Sequence, residues 1–161
     1  MANMTNYEQE CATFRLEVPE YFNFGLDVVD HWAEDPTKLA MLWVDDAGHS
    51  ARYTFADMRQ SSNRFASVLQ GLGVRPGDGA MLVLPRIPEW HSITVALMKL
   101  GAIPMPGTVL LTPKDFAYRI NMAEAKVVIV DETNAAKVDT VRDDCPTLQH
   151  YIVVGGRRPG W

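Results

Sequence analysis

Phosphate binding is the first chemistry that the sequence raises, because it contains a glycine-rich stretch. This stretch is GLGVRPG, residues 71–77. A phosphate cradle follows a strand and opens a helix, so that free N–H groups point at the anion. Residues 71–77 instead follow a helical pattern and precede an apolar strand. They therefore predict a helix C-cap and a turn rather than a phosphate site.

A second candidate is the turn LPRIPEW, residues 84–90, which follows an apolar strand at a position where α/β proteins bind ligands. The turn has no glycine, and Pro85 and Pro88 each remove an N–H donor that a phosphate would need. Pro88 at the first helical position, with Glu89 beside it, is ordinary helix-start chemistry. The turn is therefore interpreted as a helix start, in which Arg86 is the one side chain suited to an anion.

Metal and nucleophile chemistry are both disfavoured by the spacing of the reactive residues. The four histidines are far apart and lack an HExxH or similar ligand pattern. Cys11 and Cys145 are too few for a disulfide framework and form no CxxC pair, which favours a reducing compartment. Ser61 and Ser62 lie inside a predicted helix, away from any G-x-S-x-G elbow. The chain therefore offers no catalytic residue and no metal ligand.

Composition restricts the class of protein further. The chain has 161 residues, of which 47% are hydrophobic and 22% charged, as expected for one globular domain. Its net charge of -5 and its scattered 15 Lys and Arg residues argue against nucleic-acid binding. The first residues lack the basic and apolar regions of a secretory signal, and no apolar run is long enough to span a membrane. We therefore expect a cytoplasmic protein without a membrane span.

Local patterns predict which elements position these residues. A polar leader covers residues 1–20, and a helix is predicted over NFGLDVVDHWAED. A β-hairpin turns at residues 45–48. Thr54 and Asp57 then form a capping box at the start of the next helix.

Strands and helices alternate from residue 80 onward. The predicted strands are 80–84, 102–107, 126–131 and 150–155, and the predicted helices are 88–100, 112–123 and 133–144. The strands are continuous apolar runs, as expected when helices cover both faces of a parallel sheet. The fold class is therefore α/β: a doubly wound, largely parallel sheet with helices on both faces, preceded by a helix and a β-hairpin.

An ordered set of motifs resembles a known family. The motifs are YFNFGLDVVDHWA, YTFADM, GVRPGD, LPRIPEW, GAIPMPGT and AKVVIVDE. In this order they resemble the N-terminal part of AMP-forming acyl-CoA synthetases of the adenylate-forming superfamily, most closely the medium-chain branch. The resemblance runs from about residue 19 to the C-terminus. It implies that residues 21–161 are the incomplete N-terminal part of the large adenylate-forming domain.

The resemblance implies a reaction in two halves. A medium-chain fatty or aromatic carboxylate attacks the α-phosphate of ATP with Mg²⁺, giving an acyl-adenylate and pyrophosphate. The thiol of coenzyme A then displaces AMP to form a thioester. The family carries out this chemistry with a Ser/Thr/Gly-rich loop, a ribose-binding aspartate and a lysine on a mobile domain, and none of these occurs in the present sequence. The chain alone is therefore expected to be inactive and to bind none of these cofactors.

The resemblance also places one segment near a ligand. Thr108, Val109 and Leu110 match positions near the channel through which the pantetheine arm of coenzyme A approaches. The alternative is structural, with Leu110 and Leu111 simply packing in the core. Both interpretations stay open at the level of the sequence.

A different class of function also remains open. The chain could be a free-standing α/β module that binds a ligand or assembles with itself without catalysis. If the chain is instead a fragment of a synthetase, the sheet past Val154 would normally meet further sheet and helix, and an edge truncated there predicts self-association.

Overall fold

The fold is built around a four-stranded parallel sheet and a separate two-stranded hairpin. The computed structural model describes residues 6–161. In chain order the elements are α1 (Tyr7–Thr13), a π-helix (Phe24–Asp30), β1 (Leu39–Val44), β2 (Ser50–Thr54), α2 (Phe55–Gly71), β3 (Gly79–Val83), α3 (Pro88–Leu100), β4 (Ile103–Pro106), α4 (Pro113–Met122), β5 (Val127–Val130), α5 (Glu132–Asp139), a 3₁₀ turn (Arg142–Asp144) and β6 (His150–Val153).

The sheet has the order β4-β3-β5-β6, and all of its strands are parallel. Strands β3 and β5 lie at its centre and are buried along their whole length. Helices α2 and α3 cover one face, where Leu69 and Leu97 pack against Leu82. Helices α4 and α5 cover the other face, where Phe116 and Val138 are among the packed residues. The predicted α/β fold with helices on both faces is confirmed.

Helices α2 and α4 begin at the capping residues that the sequence predicts. The Thr54 hydroxyl accepts a hydrogen bond from the N–H of Asp57, and the Asp57 carboxylate accepts one from the N–H of Thr54. Thr112 and Asp115 form the same reciprocal box at the start of α4. Gly73 and Gly77 adopt positive φ in the glycine-rich stretch after α2, so its interpretation as a turn is confirmed.

The structure adds one helix that the sequence did not predict and shortens another. The polar leader contains α1, which is capped by Asn6 but buries none of its residues, so no apolar stripe marks it in the sequence. Residues 1–5 of that leader lie outside the described part of the chain. The helix predicted over 133–144 ends at Asp139, because the backbone of Val141 leaves the helical conformation and Arg142–Asp144 form a separate 3₁₀ turn.

A buried lysine of α3, Lys99, connects the π-helix to helices α2 and α3. The Lys99 ammonium lies 2.6 Å from the Asp30 carboxylate and 2.7 Å from the side-chain oxygen of Asn63 in α2. Asn23, just before the π-helix, donates to the carbonyl of Met98. The Lys99 side chain is only 5% exposed, so its charge depends on these protein partners rather than on water. Within residues 6–161, no helix is long and apolar enough to cross a membrane.

Gly107, which directly follows β4, is predicted to be hard to replace. A Cβ at this position would lie 2.9 Å from side-chain atoms of Leu111, Met81 and Val83 at once. We expect Gly107→Ala to lower the free energy of unfolding by about 1 to 3 kcal/mol through overpacking. The matched control is Gly71→Ala, because a Cβ there meets nothing within 4 Å. The control should stabilise α2 slightly. Equal denaturant midpoints for the two variants would contradict this packing argument.

Stability is predicted to fall in acid through Asp78. A hydrogen bond from Lys126, followed by one from the N–H of Arg75, lowers the pKa of Asp78 below its ordinary value of 3.8. A lowered folded-state pKa contributes stability above pH 3.8 that is lost as the pH falls through the folded pKa. Urea unfolding at pH of about 5 and about 3 should therefore show a smaller loss for Asp78→Asn than for the unmodified chain. Parallel losses in both proteins would exclude Asp78 as the cause.

Candidate functional site

The carboxyl ends of the parallel strands form the candidate site. The chain leaves β3 toward β4 on one side and later returns to β5 on the other, so the strand order reverses between β3 and β5. Val83 and Val130, the last residues of these strands, are register partners. Doubly wound sheets bind ligands in the crevice at such a reversal. The segments after β3, β4 and β5 therefore determine what this edge can bind.

The segment after β4 contains Thr108, Val109 and Leu110, the three residues singled out through the resemblance of the sequence motifs. The N–H of Gly107 donates to the carbonyl of Leu82, and the N–H of Leu111 donates to the carbonyl of Thr108. The turn between these bonds leaves Leu110 82% exposed, whereas Leu111 is 6% exposed and belongs to the core. Leu111 therefore packs in the core, whereas Leu110 makes no core contact within residues 6–161. Thr108, Val109 and Leu110 together form an exposed rim at the carboxyl edge.

A polar network from α5 supports this rim. The Lys137 ammonium donates to the carbonyl of Val109 at 2.8 Å and to the side-chain oxygen of Asn134 at 3.0 Å. Asn134 is buried, and its side-chain amide donates to the Asp131 carboxylate at 2.6 Å. Asp131 also caps α5. The network therefore holds the Lys137 ammonium in contact with the backbone of the Thr108–Leu110 rim.

Sequence reasoning missed this network. The helix was predicted to begin at Thr133, whereas it begins at Glu132 with Asp131 as its N-cap. The available signal was the aspartate immediately after an apolar strand, three positions before Asn134. Nothing in the local pattern links Lys137 to Val109, which lies 28 positions earlier.

The turn after β3 is held by the hairpin. The indole N–H of Trp43 in β1 donates to the carbonyl of Arg86 at 2.8 Å. Between hairpin and turn lies an open cleft of about 520 Å³. Its lining includes Trp43, Arg86, Trp90 and His91. The Arg86 side chain is exposed beside this cleft, and the turn itself is a helix start with Pro88 in the first turn of α3, as predicted.

Reactive groups suited to catalysis do not gather at this edge. Within the described chain, no group of three or more His, Cys, Asp or Glu side chains could hold a metal ion. Cys145 is buried against the α4 and α5 face, and burial raises the pKa of its thiol above the ordinary 9.0. Cys11 is exposed in α1. Within residues 6–161, the carboxyl edge therefore consists of the exposed Thr108–Leu110 rim, the Lys137 network that contacts it and the cleft beside Trp43.

Comparison with known proteins identifies the family to which this chain belongs. Residues 28–159 match the family described as AMP-binding enzyme, and the chain belongs to this family. A curated relative is acyl-coenzyme A synthetase ACSM5, mitochondrial, from Mus musculus, which is 42% identical over 155 residues. That match covers 91% of this chain but 27% of the relative. The chain thus spans about a quarter of the length of the relative.

Solved structures agree with this assignment. A Mycobacterium tuberculosis fatty acyl CoA synthetase superposes with a TM-score of 0.74 and 28% identity, covering 82% of this chain and 26% of that one. A Brucella canis acyl-CoA synthetase gives a TM-score of 0.84 at 22% identity over 98% of this chain and 30% of that one, which establishes likeness of fold. The resemblance to acyl-CoA synthetases inferred from the sequence motifs is confirmed.

Lys137 is predicted to fix the rim. In Lys137→Met the side-chain oxygen of Asn134 and the carbonyl of Val109 both lose a donor. An unsatisfied buried polar group costs about 1 to 3 kcal/mol, so we expect a loss of stability in this range and faster hydrogen exchange at residues 108–110. Lys114→Met is the matched control, because Lys114 is exposed on α4 and the change removes the same charge. Equal exchange rates in the two variants would contradict the supporting role of Lys137.

Proposed function

We propose that this chain forms the first part of the large domain, residues 21–161, of a longer acyl-CoA synthetase. That enzyme activates a carboxylic acid with ATP to an acyl-adenylate and transfers the acyl group to coenzyme A. The observation that carries the proposal is the asymmetric coverage of the match, 91% of this chain against 27% of a curated acyl-coenzyme A synthetase. Medium-chain fatty or aromatic acids are the proposed substrates, from the resemblance of the motifs to the medium-chain branch.

The proposed contribution of this chain is one wall of the coenzyme A channel. Thr108, Val109 and Leu110 lie at the carboxyl edge of the sheet, where doubly wound folds bind ligands. Leu110 is 82% exposed, so its side chain is free to contact an apolar part of the pantetheine arm. The Lys137 ammonium, which donates to the carbonyl of Val109, adds a positive charge to this wall.

ATP, Mg²⁺ and coenzyme A belong to the longer enzyme in this proposal. The sequence contains no Ser/Thr/Gly-rich loop ending in lysine that could hold the phosphates of ATP. The described residues also bring together no metal-ligand cluster, so they do not fit Mg²⁺ as a resident ion and no catalytic step is assigned to it here. The isolated chain is accordingly proposed to be inactive.

Exchange of labelled pyrophosphate into ATP tests the proposal, because exchange requires formation of the adenylate. The gene is read past the codon for Trp161, and both the longer product and the 161-residue chain are assayed with octanoate and with benzoate. We expect carboxylate-dependent exchange from the longer product and none from the chain. Exchange by the chain alone, or a stop codon directly after Trp161, would overturn the proposal.

A ligand-binding module without catalysis is the alternative, and the cleft beside Trp43 and Trp90 allows it to be tested. Both indoles line the cleft, so their fluorescence reports on its occupation. Titration of the 161-residue chain with AMP, ATP or coenzyme A should give no saturable change. A saturable change that disappears in Trp43→Phe, with Trp32→Phe as the control outside the cleft, would favour the module instead.

The location of the protein stays a prediction. The curated mouse relative is named mitochondrial, and that name describes the relative. A cytoplasmic location is proposed for this chain because Cys11 and Cys145 form no CxxC pair and are too few for a disulfide framework, which favours a reducing compartment. We expect a C-terminally tagged form to remain in the cytosolic fraction, whereas recovery with mitochondria would contradict the prediction.

A further inference from the structure

The π-helix lies in a segment whose packing is separate from that of the parallel sheet. We call residues 23–33 the strap. The main contacts of its π-helix are with helices α2 and α3. Val29 of the strap is buried with Met58 and Val95 in a cluster of its own, apart from the two clusters that cover the faces of the sheet. The apolar contacts of the strap are therefore distinct from those that hold the sheet together.

The strap buries little apolar surface for its length. Its buried residues are Gly25, Val29 and Ala33. A helix of seven residues is too short to be stable without tertiary contacts. Three larger apolar side chains are between 44% and 50% exposed within residues 6–161, namely Phe24, Leu26 and Trp32. The closed position of the strap consequently depends on a small set of contacts with α2 and α3.

Polar contacts with the last turn of α3 attach both ends of the π-helix. Before its first residue, the side-chain amide of Asn23 donates to the carbonyl of Met98 at 2.9 Å. At its last residue, the Asp30 carboxylate accepts from the Lys99 ammonium at 2.6 Å. Lys99 also donates to the side-chain oxygen of Asn63 in α2. The ion pair and the hydrogen bond of Asn23 therefore hold the strap against α3.

Gly25 allows the strap to lie directly on the side chain of Lys99. A Cβ at position 25 would lie 2.5 Å from Cγ of Lys99, closer than such atoms approach in proteins. The strap thus shields the lysine, which is 5% exposed. When the strap separates, the ammonium gains water and keeps Asn63 of α2 as an acceptor, so no buried charge is left without a partner. Opening therefore avoids the main cost of breaking a buried ion pair.

We propose that the strap opens and closes as a unit while the parallel sheet stays folded, and that the Lys99–Asp30 ion pair determines how often it opens. In the closed position Phe24 and Val29 form part of the wall of a mostly apolar cavity of about 290 Å³. Opening removes this part of the wall and enlarges the cavity, so the strap is a movable cover. The inference rests on contacts within residues 23–99 and does not depend on the proposed catalytic function.

Hydrogen exchange of the unmodified 161-residue chain tests the opening. The reporters in the strap are the amides of Asp27 and Ala33, which donate to Asn23 and Val29. Compared with amides of β3 and β5, we expect them to exchange at least about tenfold faster and with a weaker dependence on urea, because local opening exposes less surface than unfolding. Equal rates with an equal urea dependence would show that the strap opens only when the sheet unfolds, which would overturn the proposal.

Two substitutions test the contacts that keep the strap closed. Lys99→Met removes the ammonium, and Gly25→Ala pushes the strap away from α3. Each should accelerate exchange of the strap amides at least about tenfold. The matched controls are Lys114→Met, at an exposed position of α4, and Gly71→Ala, where a Cβ meets nothing within 4 Å. The proposal is wrong if exchange in the strap is the same in each variant and its control.

A variant of the sheet distinguishes local opening from global unfolding. In Gly107→Ala the new Cβ would lie 2.9 Å from side chains of Met81 and Val83 in β3. Destabilisation of the sheet accelerates exchange of every amide that requires global unfolding. We therefore expect faster exchange in β3 and β5 and unchanged exchange of the strap amides. Acceleration of the strap amides by the same factor as those of the sheet would contradict independent opening.

Discussion

The structure depends on the hydrogen-bonded pair of β3 and β5, whose side chains are buried on both faces of the sheet. Ala80, Leu82, Val127 and Val130 are all fully buried, so every helix of the sheet layer packs against this pair. Burial of the backbone also requires each of its N–H and C=O groups to be paired, which the parallel ladder achieves. The position of every loop at the carboxyl edge follows from the register of these two strands.

The sequence was most informative where local chemistry determines local structure. Thr54 and Asp57 correctly predicted the start of α2, because a capping box depends on residues only three positions apart. The buried strands were found within one or two residues of their ends, since continuous apolar runs are typical of parallel sheets. Helix α1 was missed because it buries nothing. The break after Asp139 was missed because residues 133–144 contain no glycine or proline that would mark it.

The candidate site was less predictable than the fold, since its contacts join distant positions. Thr108, Val109 and Leu110 were named through the resemblance to a family, and their role at the coenzyme A channel stays a prediction. The contact of Lys137 with Val109 and that of Trp43 with Arg86 span 28 and 43 positions. No periodicity or spacing rule reports such pairs, which become visible only when the sheet order brings their elements together.

The buried lysine of α3 has a consequence for chemical labelling of the molecule. Amine-reactive reagents need an accessible, uncharged amine, and the ammonium of Lys99 is enclosed between Asp30 and Asn63. A reagent reaches it only when the π-helix separates from α2 and α3. The rate at which Lys99 is modified, compared with that of the exposed Lys114, would therefore measure local opening of the N-terminal segment. One side chain thus serves as an internal reporter of how firmly residues 23–30 are attached.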